Sequence, residues 1–348
     1  MAALDPAVAA IRGAVRRCPL PEPGAPVLVA CSGGADSTAL AAAARFVLPE
    51  VGLVTVDHQL QAGSAERAST VADWAGGRGF APVVVTTVDT TDRPGGPEAA
   101  ARDARYEALA GAAREHGAGA VLLGHTRDDQ AETVLLALVR GAGPRGLAGM
   151  PVRRRRHGVL FVRPLLDVSR SQTRAACLAE DLPTWEDPHN SDPSYRRTHA
   201  RALLSSLVDN LGPAVVANLA RTARLAAADS MALDRWASRA AANAGSGGGL
   251  AVAALAALPD AVRTRVLHAW AGELGAPGSA LSHRHVAALD ALVIAWRGQG
   301  MVSLPGGIMV ARRAGRLVEV DRPSTPEPPD IPPAARPSAA DEAGLAHG

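Results

Sequence analysis

The sequence has no lysine; all 36 of its basic residues are arginine. The lysine-bearing phosphate loop, which needs Gly-Lys-[Ser/Thr], is therefore excluded. Aromatic residues make up only 3% of the 348, so the core must be built from alanine, valine and leucine. Cysteine is as scarce. Cys18, Cys31 and Cys177 are odd in number and far apart, which rules out a disulfide framework or a Cys-x-x-Cys metal site within one chain. Cys31 reads as a small core residue at the end of a strand. No apolar run reaches the roughly 18 residues that crossing a bilayer requires. The N-terminus, with acidic Asp5 and no apolar stretch before Arg12, does not read as a signal peptide. A cytoplasmic chain is expected.

What is present points to two domains, because 348 residues with 47% hydrophobic side chains can bury one large or two modest cores. The net charge of +2 is unevenly spread. Residues 1–150 carry 13 arginines against 16 acids, residues 151–320 carry 21 against 13, and residues 321–348 carry 2 against 5. A basic region beside a slightly acidic one suits an enzyme that acts on a polyanion. General inflation of arginine by coding bias is the plainer explanation, but the acidic tilt of residues 1–150 speaks against it as a full account.

The chain is organised around residues 27–40, where the apolar run Val27-Leu-Val-Ala30 turns through Cys31-Ser-Gly-Gly-Ala-Asp-Ser37 into an alanine-rich helical pattern. Such a run predicts a buried parallel strand, a tight loop and a helix N-terminus. Two glycines let a ligand approach the backbone, and the free N–H groups of the first helical turn, with the Ser32 and Ser37 hydroxyls, suit a phosphate or pyrophosphate. The bland reading is an ordinary glycine-rich turn with Asp36 and Ser37 as caps. The string Ser32-Gly33-Gly34-Ala35-Asp36-Ser37 resembles the pyrophosphate loop of the N-type ATP pyrophosphatases, which split ATP to AMP and pyrophosphate while adenylating a substrate.

Along the chain, residues 5–17 read as an amphipathic helix and residues 19–26 as a linker. Further strands are expected at 52–57, 81–88 and 120–124, the fourth closing the series, with helical segments between them. This alternation predicts an α/β fold with a parallel sheet covered by helices on both faces. Ligands in such sheets lie outside the carboxyl ends of the strands, where Ser32, Asp57, His58 and His125 cluster. His58 is a candidate to stack on or hydrogen-bond a nucleotide, and a histidine that only ties its loop is as good a reading. Arg102 and Arg105 share a helix face and suit a phosphate of ATP or RNA, with solvent-exposed pairing to Glu98, Asp103 or Glu107 as the alternative. In Leu123-Gly-His-Thr-Arg-Asp-Asp-Gln-Ala-Glu-Thr133, Asp128 or Asp129 is expected to begin a helix. Asp129 and Glu132, at i and i+3, would then face the nucleotide edge. They could hold an ammonium group or Mg²⁺, accept a proton from an attacking amine, or simply form a capping box.

Taken together, the loop, Glu98-x-x-Ala-Arg-x-x-Arg-Tyr106, the Leu123–Thr133 string, Arg140-Gly-Ala-Gly-Pro-Arg-Gly-Leu-Ala-Gly-Met150, Arg163-Pro-Leu-Leu166 and Trp185-Glu-Asp-Pro-His-Asn190 occur in the order of the tRNA(Ile)-lysidine synthetase family. The resemblance implies ATP-dependent joining of free lysine to the wobble cytidine of a CAU-anticodon isoleucine tRNA. It implies that Ser32–Ser37, His58, Arg102 and Arg105 serve ATP, that Asp36 recruits Mg²⁺, and that Asp36, Asp129 and Glu132 are catalytic. Asp129, Glu132 and Arg201 would bind lysine. Where the family shows Arg-Asn-x-Ile-Arg, this chain reads Arg197-Thr-His-Ala-Arg201; the asparagine is replaced and Arg201 keeps its place.

RNA contact is expected from Arg153, Arg154, Arg155 and Arg156, whose alternative is a solvated turn, and from Arg196, Arg197, Arg221 and Arg224, with Arg235 and Arg239 on the same helical pattern. The segment 140–150 reads as a glycine-punctuated loop, a flexible lid or an RNA contact rather than a helix. The expected division is residues 1–26 as helix and linker, 27–205 as the catalytic domain, 206–320 as a smaller, mainly helical tRNA-binding domain with a strand pair near its end, and 321–348 as a disordered tail. The resemblance makes this a short form without the acceptor-end domain of longer members. Another tRNA-modifying enzyme of the same superfamily, such as a thiolase, an amide-forming synthetase, and a nucleotide-sensing protein without turnover are the alternatives. Whether the chain works as a homodimer is left open.

Overall fold

The computed structural model describes residues 4–20, 25–57, 59, 63–88, 97–185, 196–246, 248–278 and 280–321. They fall in two compact units, Met1–Ala232 and Leu233–Gly348. The first unit opens with α1 (Pro6–Arg17), capped by the Asp5 carboxylate, and then alternates strand and helix: β1 (Val27–Ala30), α2 (Ala35–Val47), β2 (Val51–Asp57), α3 (Ser64–Gly77), β3 (Val83–Thr87), α4 (Pro97–Glu115), β4 (Ala120–Leu123) and α5 (Arg127–Val139). A single helical turn, α6 (Pro144–Leu147), precedes β5 (Arg153–Arg156), β6 (Val159–Val162), α7 (Arg170–Ala179), α8 (Arg196–Leu211) and α9 (Ala214–Ala244), within which the two units divide.

The sheet of the first unit runs β3-β2-β1-β4-β6-β5. All pairings are parallel except that of β5 with β6. Each inner strand is apolar on both sides, as burial on two faces demands. Val27 and Val29, Val51 and Leu53, Ala120 and Leu122, and Leu160 and Val162 pack with α1, α2, α3 and α7. The alternate residues Leu28, Val54, Val121, Leu123 and Phe161 face α4 through Tyr106, Leu109, Ala110 and Ala113. The scarcity of aromatics is met by alanine: Ala39, Ala41, Ala43 and Ala44 of α2 are all buried, and their small size lets the helix lie close to the sheet.

The chain leaves β1 toward β2 on one side and returns as β4 on the other, so the strand order reverses between β1 and β4. The residues that follow these two strands therefore flank the crevice where such sheets bind ligands.

Three expectations are corrected. The fourth strand does not close the series, because β6 adds a fifth parallel strand, from an apolar run too short to stand out between Gly158 and Arg163. The 140–150 segment contains the turn α6. The run Arg153–Arg156 is not the solvated turn offered as the alternative to RNA contact but the antiparallel edge strand β5, which four exposed or half-exposed arginines can form because an edge needs little apolar surface.

In the second unit, β7 (Gly245–Ser246), β8 (Gly249–Ala251), β9 (Val302–Ser303), β10 (Met309–Arg313) and β11 (Arg316–Val320) form a sheet of order β7-β8-β11-β10-β9. With it go α10 (Val252–Ala256), α11 (Asp260–Glu273) and α12 (His283–Ile294). The expected strand pair belongs to a five-stranded sheet. Leu255, Leu267, Trp270, Leu289, Leu292, Val310 and Leu317 make its core. Buried Arg263 pairs with Asp290 at 2.6 Å and with Asp260 at 2.6 Å, a structural use of one arginine of the basic half. Among the described residues no single helix is long and apolar enough to cross a membrane.

Gly52 permits the close packing of β2. A Cβ there would stand 2.5 Å from Leu28 Cδ2 and 2.8 Å from the Pro82 carbonyl oxygen. Gly52→Ala is expected to destabilise the first unit by about 1–3 kcal/mol, read as an earlier urea unfolding midpoint by circular dichroism.

Candidate functional site at the reversal of strand order

Beyond β1 the chain enters the left-handed region at Gly33, with φ of +82°. Gly34, extended, is the N-cap of α2 and offers no side-chain cap, so the first-turn N–H groups are left for a ligand. The Ser37 hydroxyl donates to the Gly34 carbonyl at 2.9 Å, accepts from the Ser32 N–H at 3.2 Å and lies 3.3 Å from the Ser32 hydroxyl. The Trp185 N–H donates to the Gly33 carbonyl at 2.9 Å, and the Arg67 guanidinium stacks 3.5 Å over the Trp185 ring. The loop Ser32–Ser37 is thus held in shape from both ends as a helix-terminal anion cradle.

Gly124, at the end of β4, lies against this cradle. A Cβ there would be 3.0 Å from both the nitrogen and Cα of Ser37. The missing side chain brings the Leu123–Thr133 string up to the phosphate loop.

Helix α5 starts at Arg127, ahead of the Asp128 or Asp129 expected to begin it. Thr126 is the N-cap and Asp129 completes the capping box, accepting from the Thr126 N–H at 2.7 Å. The capping box is therefore Thr-x-x-Asp, and Glu132 is free of that duty. It is almost fully buried. Four carboxylates gather here, and the residue that joins them is Arg170, at the first position of α7. Its Nη2 donates to Asp129 Oδ1 at 2.8 Å and Glu132 Oε1 at 3.2 Å, and its Nε lies 3.6 Å from Asp36 Oδ2. Its backbone N–H donates to Asp128 Oδ2 at 2.9 Å. The Thr173 hydroxyl donates to Asp36 Oδ1, and Arg201 Nε donates to Glu132 Oε1 at 2.8 Å. Burial, with Asp129 and Asp128 nearby, raises the Asp36 carboxyl above the ordinary range in spite of Thr173 and Arg170.

A cationic group stands on the α4 side. Arg163 donates from Nη2 to the Tyr106 hydroxyl at 2.9 Å and from Nη1 to the Pro151 carbonyl at 2.8 Å. Arg102 lies 3.5 Å from the same hydroxyl. Arg105 Nε, Arg163 Nε and His125 Nδ1 are enclosed without a hydrogen-bond partner. Among the described residues no carboxylate pairs with Arg102, Arg105, Arg163 or Arg197. Burial, with Arg197, Arg105 and Arg163, lowers Arg102 to about 10. Guanidinium groups packed together in this way fit an anionic ligand.

The structure brings Ser32–Ser37, Asp36, Asp129, Glu132 and Arg201 to one edge. Arg102, Arg105 and Arg197 form the neighbouring cationic group. In β5, Arg153, Arg154 and Arg155 are exposed, whereas Arg156 is drawn onto Asp103 and stacks 4.6 Å over Tyr106. Arg221 is exposed on α9, and Arg224 pairs with Asp167 at 3.2 Å on the surface. Arg196 is the first residue of α8. His58, the segment 186–195 and the tail from 322 lie outside the described residues. Sequence reading misses Arg170, Thr173 and Tyr106 as site residues. The signal for α7 is present as the capping box Ser169-x-x-Gln172, and Arg163 stands in a family motif without a role.

His125 is pressed well below its ordinary pKa by burial and then by Arg163, Arg105, Arg102 and Arg197. It is neutral when folded but takes a proton when unfolded below about pH 6.5, so the unfolded state binds more protons and stability falls as pH drops. His125→Gln is expected to flatten this acid limb between about pH 6.5 and 5 by up to about 1.4 kcal/mol per pH unit. Urea titrations of both proteins across that range give the comparison.

Residues 13–207 match the model of the PP-loop domain family, and residues 250–318 match the TilS substrate binding domain. The tRNA(Ile)-lysidine synthase of Salinispora tropica is 65% identical over 329 residues, covering 92% of this chain and 98% of the relative. That of Streptomyces coelicolor is 53% identical, covering 87% and 89%. In fold, the chain is similar to a U34-tRNA thiolase, NcsA, from Methanococcus maripaludis, with a TM-score of 0.53 at 16% identity over 63% of this chain and 80% of that one. The pyrophosphate loop, the acidic turn of α5 and identity sustained over nine-tenths of the chain lead to one assignment: the protein is a member of the tRNA(Ile)-lysidine synthase family.

Proposed function

We propose that this protein joins L-lysine to C2 of the wobble cytidine in the CAU anticodon of tRNA(Ile), in the cytoplasm, with ATP as the activating substrate. The observation that carries this reading is the meeting of an uncapped pyrophosphate loop with a buried acidic turn across the β1–β4 crevice. The C2 oxygen of cytidine is a poor leaving group. It attacks the α-phosphorus of ATP and pyrophosphate departs, and the ε-amine of lysine then attacks C2 and AMP leaves.

The backbone N–H groups of Ser32–Ser37 and the two serine hydroxyls receive the phosphates. Arg102 and Arg105, with no acid among the described residues to neutralise them, receive further anionic charge of ATP or of the tRNA. Asp129 and Glu132 seat an amino group of lysine or take its proton, and Arg201, which pairs with Glu132, meets the lysine carboxylate in this reading. Among the described residues no three His, Cys, Asp or Glu side chains form a metal site on their own. Mg²⁺ habitually takes one or two carboxylates together with substrate phosphates, and Asp36 beside the loop fits that pattern. Bound there, the ion would offset the charge of the departing pyrophosphate.

The exposed arginines Arg153, Arg154 and Arg155 lie in a row along an edge strand and suit a tRNA backbone. We assign catalysis to residues 27–205 and tRNA binding largely to 206–320.

Incorporation of labelled lysine into a CAU-anticodon isoleucine transcript, with ATP and Mg²⁺ and a methionine transcript as control, tests the reading. Incorporation that needs ATP and spares the control supports it. AMP release driven by another RNA, without lysine transfer, would move the function to a different adenylating enzyme. Asp129→Asn, which retains an acceptor for Thr126, is expected to lower lysine transfer by about 10²-fold or more while leaving the far-ultraviolet spectrum unchanged. Replacing Arg153, Arg154 and Arg155 together by serine should reduce the slope of log affinity for tRNA against log salt by about 0.7–0.9 for each phosphate no longer neutralised. Filter binding at several salt concentrations reads that slope directly.

A further inference from the structure

The arginine at the start of α7 is in an unfavourable place for a cation. The first turn of a helix carries the positive end of the macrodipole and favours acids, yet α7 has no acid in its first turn and places Arg170 at its first position. Departures from local preference of this kind mark places where another requirement dominates. Here that requirement is visible. The first turn of α7 supplies a partner to each of four carboxylates from two other helices. The Arg170 N–H holds Asp128 at 2.9 Å, its guanidinium holds Asp129 and Glu132 and approaches Asp36, and the Thr173 hydroxyl holds Asp36.

We propose that Arg170 is the positioning residue of the transfer site, fixing Asp129 and Glu132 in one arrangement and tying that arrangement to Asp36 of the pyrophosphate loop. The inference rests on the reading in which these acids serve lysine and ATP, and it adds the group that sets their geometry.

Three features support it. First, Asp36 and the Asp129–Glu132 pair belong to separate elements, α2 and α5, and Arg170 is the cation that contacts all three. Arg201 reaches Glu132, so loss of Arg170 would leave Glu132 paired while Asp129 and Asp36 kept, among the described residues, only their hydrogen bonds with Thr126 and Thr173. Second, the contacts use different nitrogens: Nη2 serves Asp129 and Glu132, and Nε faces Asp36. A planar guanidinium can span these directions, whereas an ammonium is a single point of charge. Third, Arg170 is itself anchored. The Ser169 hydroxyl and Gln172 close a capping box around its helix turn, and the Arg127 N–H donates to the Val168 carbonyl at 2.8 Å, so the chain just before Arg170 is bonded to the start of α5.

The test uses full-length Arg170→Lys, Arg170→Gln and Arg170→Ala proteins, each checked for folding by thermal denaturation. In the lysine-transfer assay, Arg170→Gln and Arg170→Ala are expected to raise the lysine KM and to lower kcat by about 10²-fold, the order expected when reacting groups are displaced by about an ångström. Arg170→Lys keeps the charge and remains informative if the neutral variants unfold; it is expected to lose about 10²-fold in kcat as well, because an ammonium cannot span the three acids. Millimolar guanidinium chloride should restore part of the Arg170→Ala activity where equal sodium chloride does not. Full activity in folded Arg170→Lys or Arg170→Gln would overturn the proposal while leaving the lysine-transfer reading intact. A lysine KM that falls on removing Arg170 would also overturn it, making the guanidinium a stand-in that lysine must displace. A wild-type protein that transfers no lysine would remove the reading and this inference with it.

Discussion

The site depends on the approach of one backbone to another at Gly124. The end of β4 lies so close to the first turn of α2 that even a methyl group would touch the Ser37 backbone. Parallel pairing of β1 with β4 brings the two strand ends side by side, and the missing side chain lets the following turns nearly merge. The loop of β1 and the acidic turn of α5 meet through that contact. The phosphate cradle comes from one turn and the acidic cluster from the other. A larger residue would force the two turns apart, and catalysis is sensitive to displacements of this kind.

Bringing them together raises an electrostatic difficulty that the rest of the fold resolves. Asp36, Asp128, Asp129 and Glu132 converge at a partly buried place, where unpaired carboxylates are costly. The answer comes from α7 and α8, which supply Arg170, Thr173 and Arg201. The raised Asp36 carboxyl is what remains of that difficulty. On the α4 side the balance is reversed: Arg102, Arg105, Arg163 and Arg197 crowd Tyr106 and His125 without an acid paired to them among the described residues. An acid-rich cluster with supporting cations thus lies in the same unit as a cluster of guanidinium groups whose chemistry suits an anion. A reaction between an amino acid, a nucleotide triphosphate and an RNA requires both signs at short range.

Much of this is legible in the sequence. The loop Ser32–Ser37, the strand series from β1 to β4 and the Asp129–Glu132 string are local patterns, and local patterns survive folding because turn chemistry and periodicity fix them. What escapes is non-local or lacks a pattern. Strand β6 is a four-residue apolar run, and β5 is a strand made of arginines, so neither carries the alternation by which a strand is recognised. The acidic turn is recognisable as a carboxylate pair at the nucleotide edge. Its cap is not, because Thr126-x-x-Asp129 and Asp129-x-x-Glu132 are both plausible boxes in one dimension. Arg170 meets the acids of α5 across 38 to 42 positions of chain, and Asp36 from further still, so its partners become visible only in three dimensions.

The absence of lysine takes on a physical sense at this point. Arginine stays charged even where burial and like-charged neighbours bear on it, as at Arg102, so each cation in the site is a fixed charge and none is an amine that could enter the reaction. In a site whose proposed chemistry is attack by a primary amine, no ε-amine of the chain itself can take the place of the substrate's. Guanidinium forks do the holding, because their planar donors can serve several carboxylates at once, as Arg170 does. Exclusion of an internal mimic of the proposed substrate follows from that choice of cation.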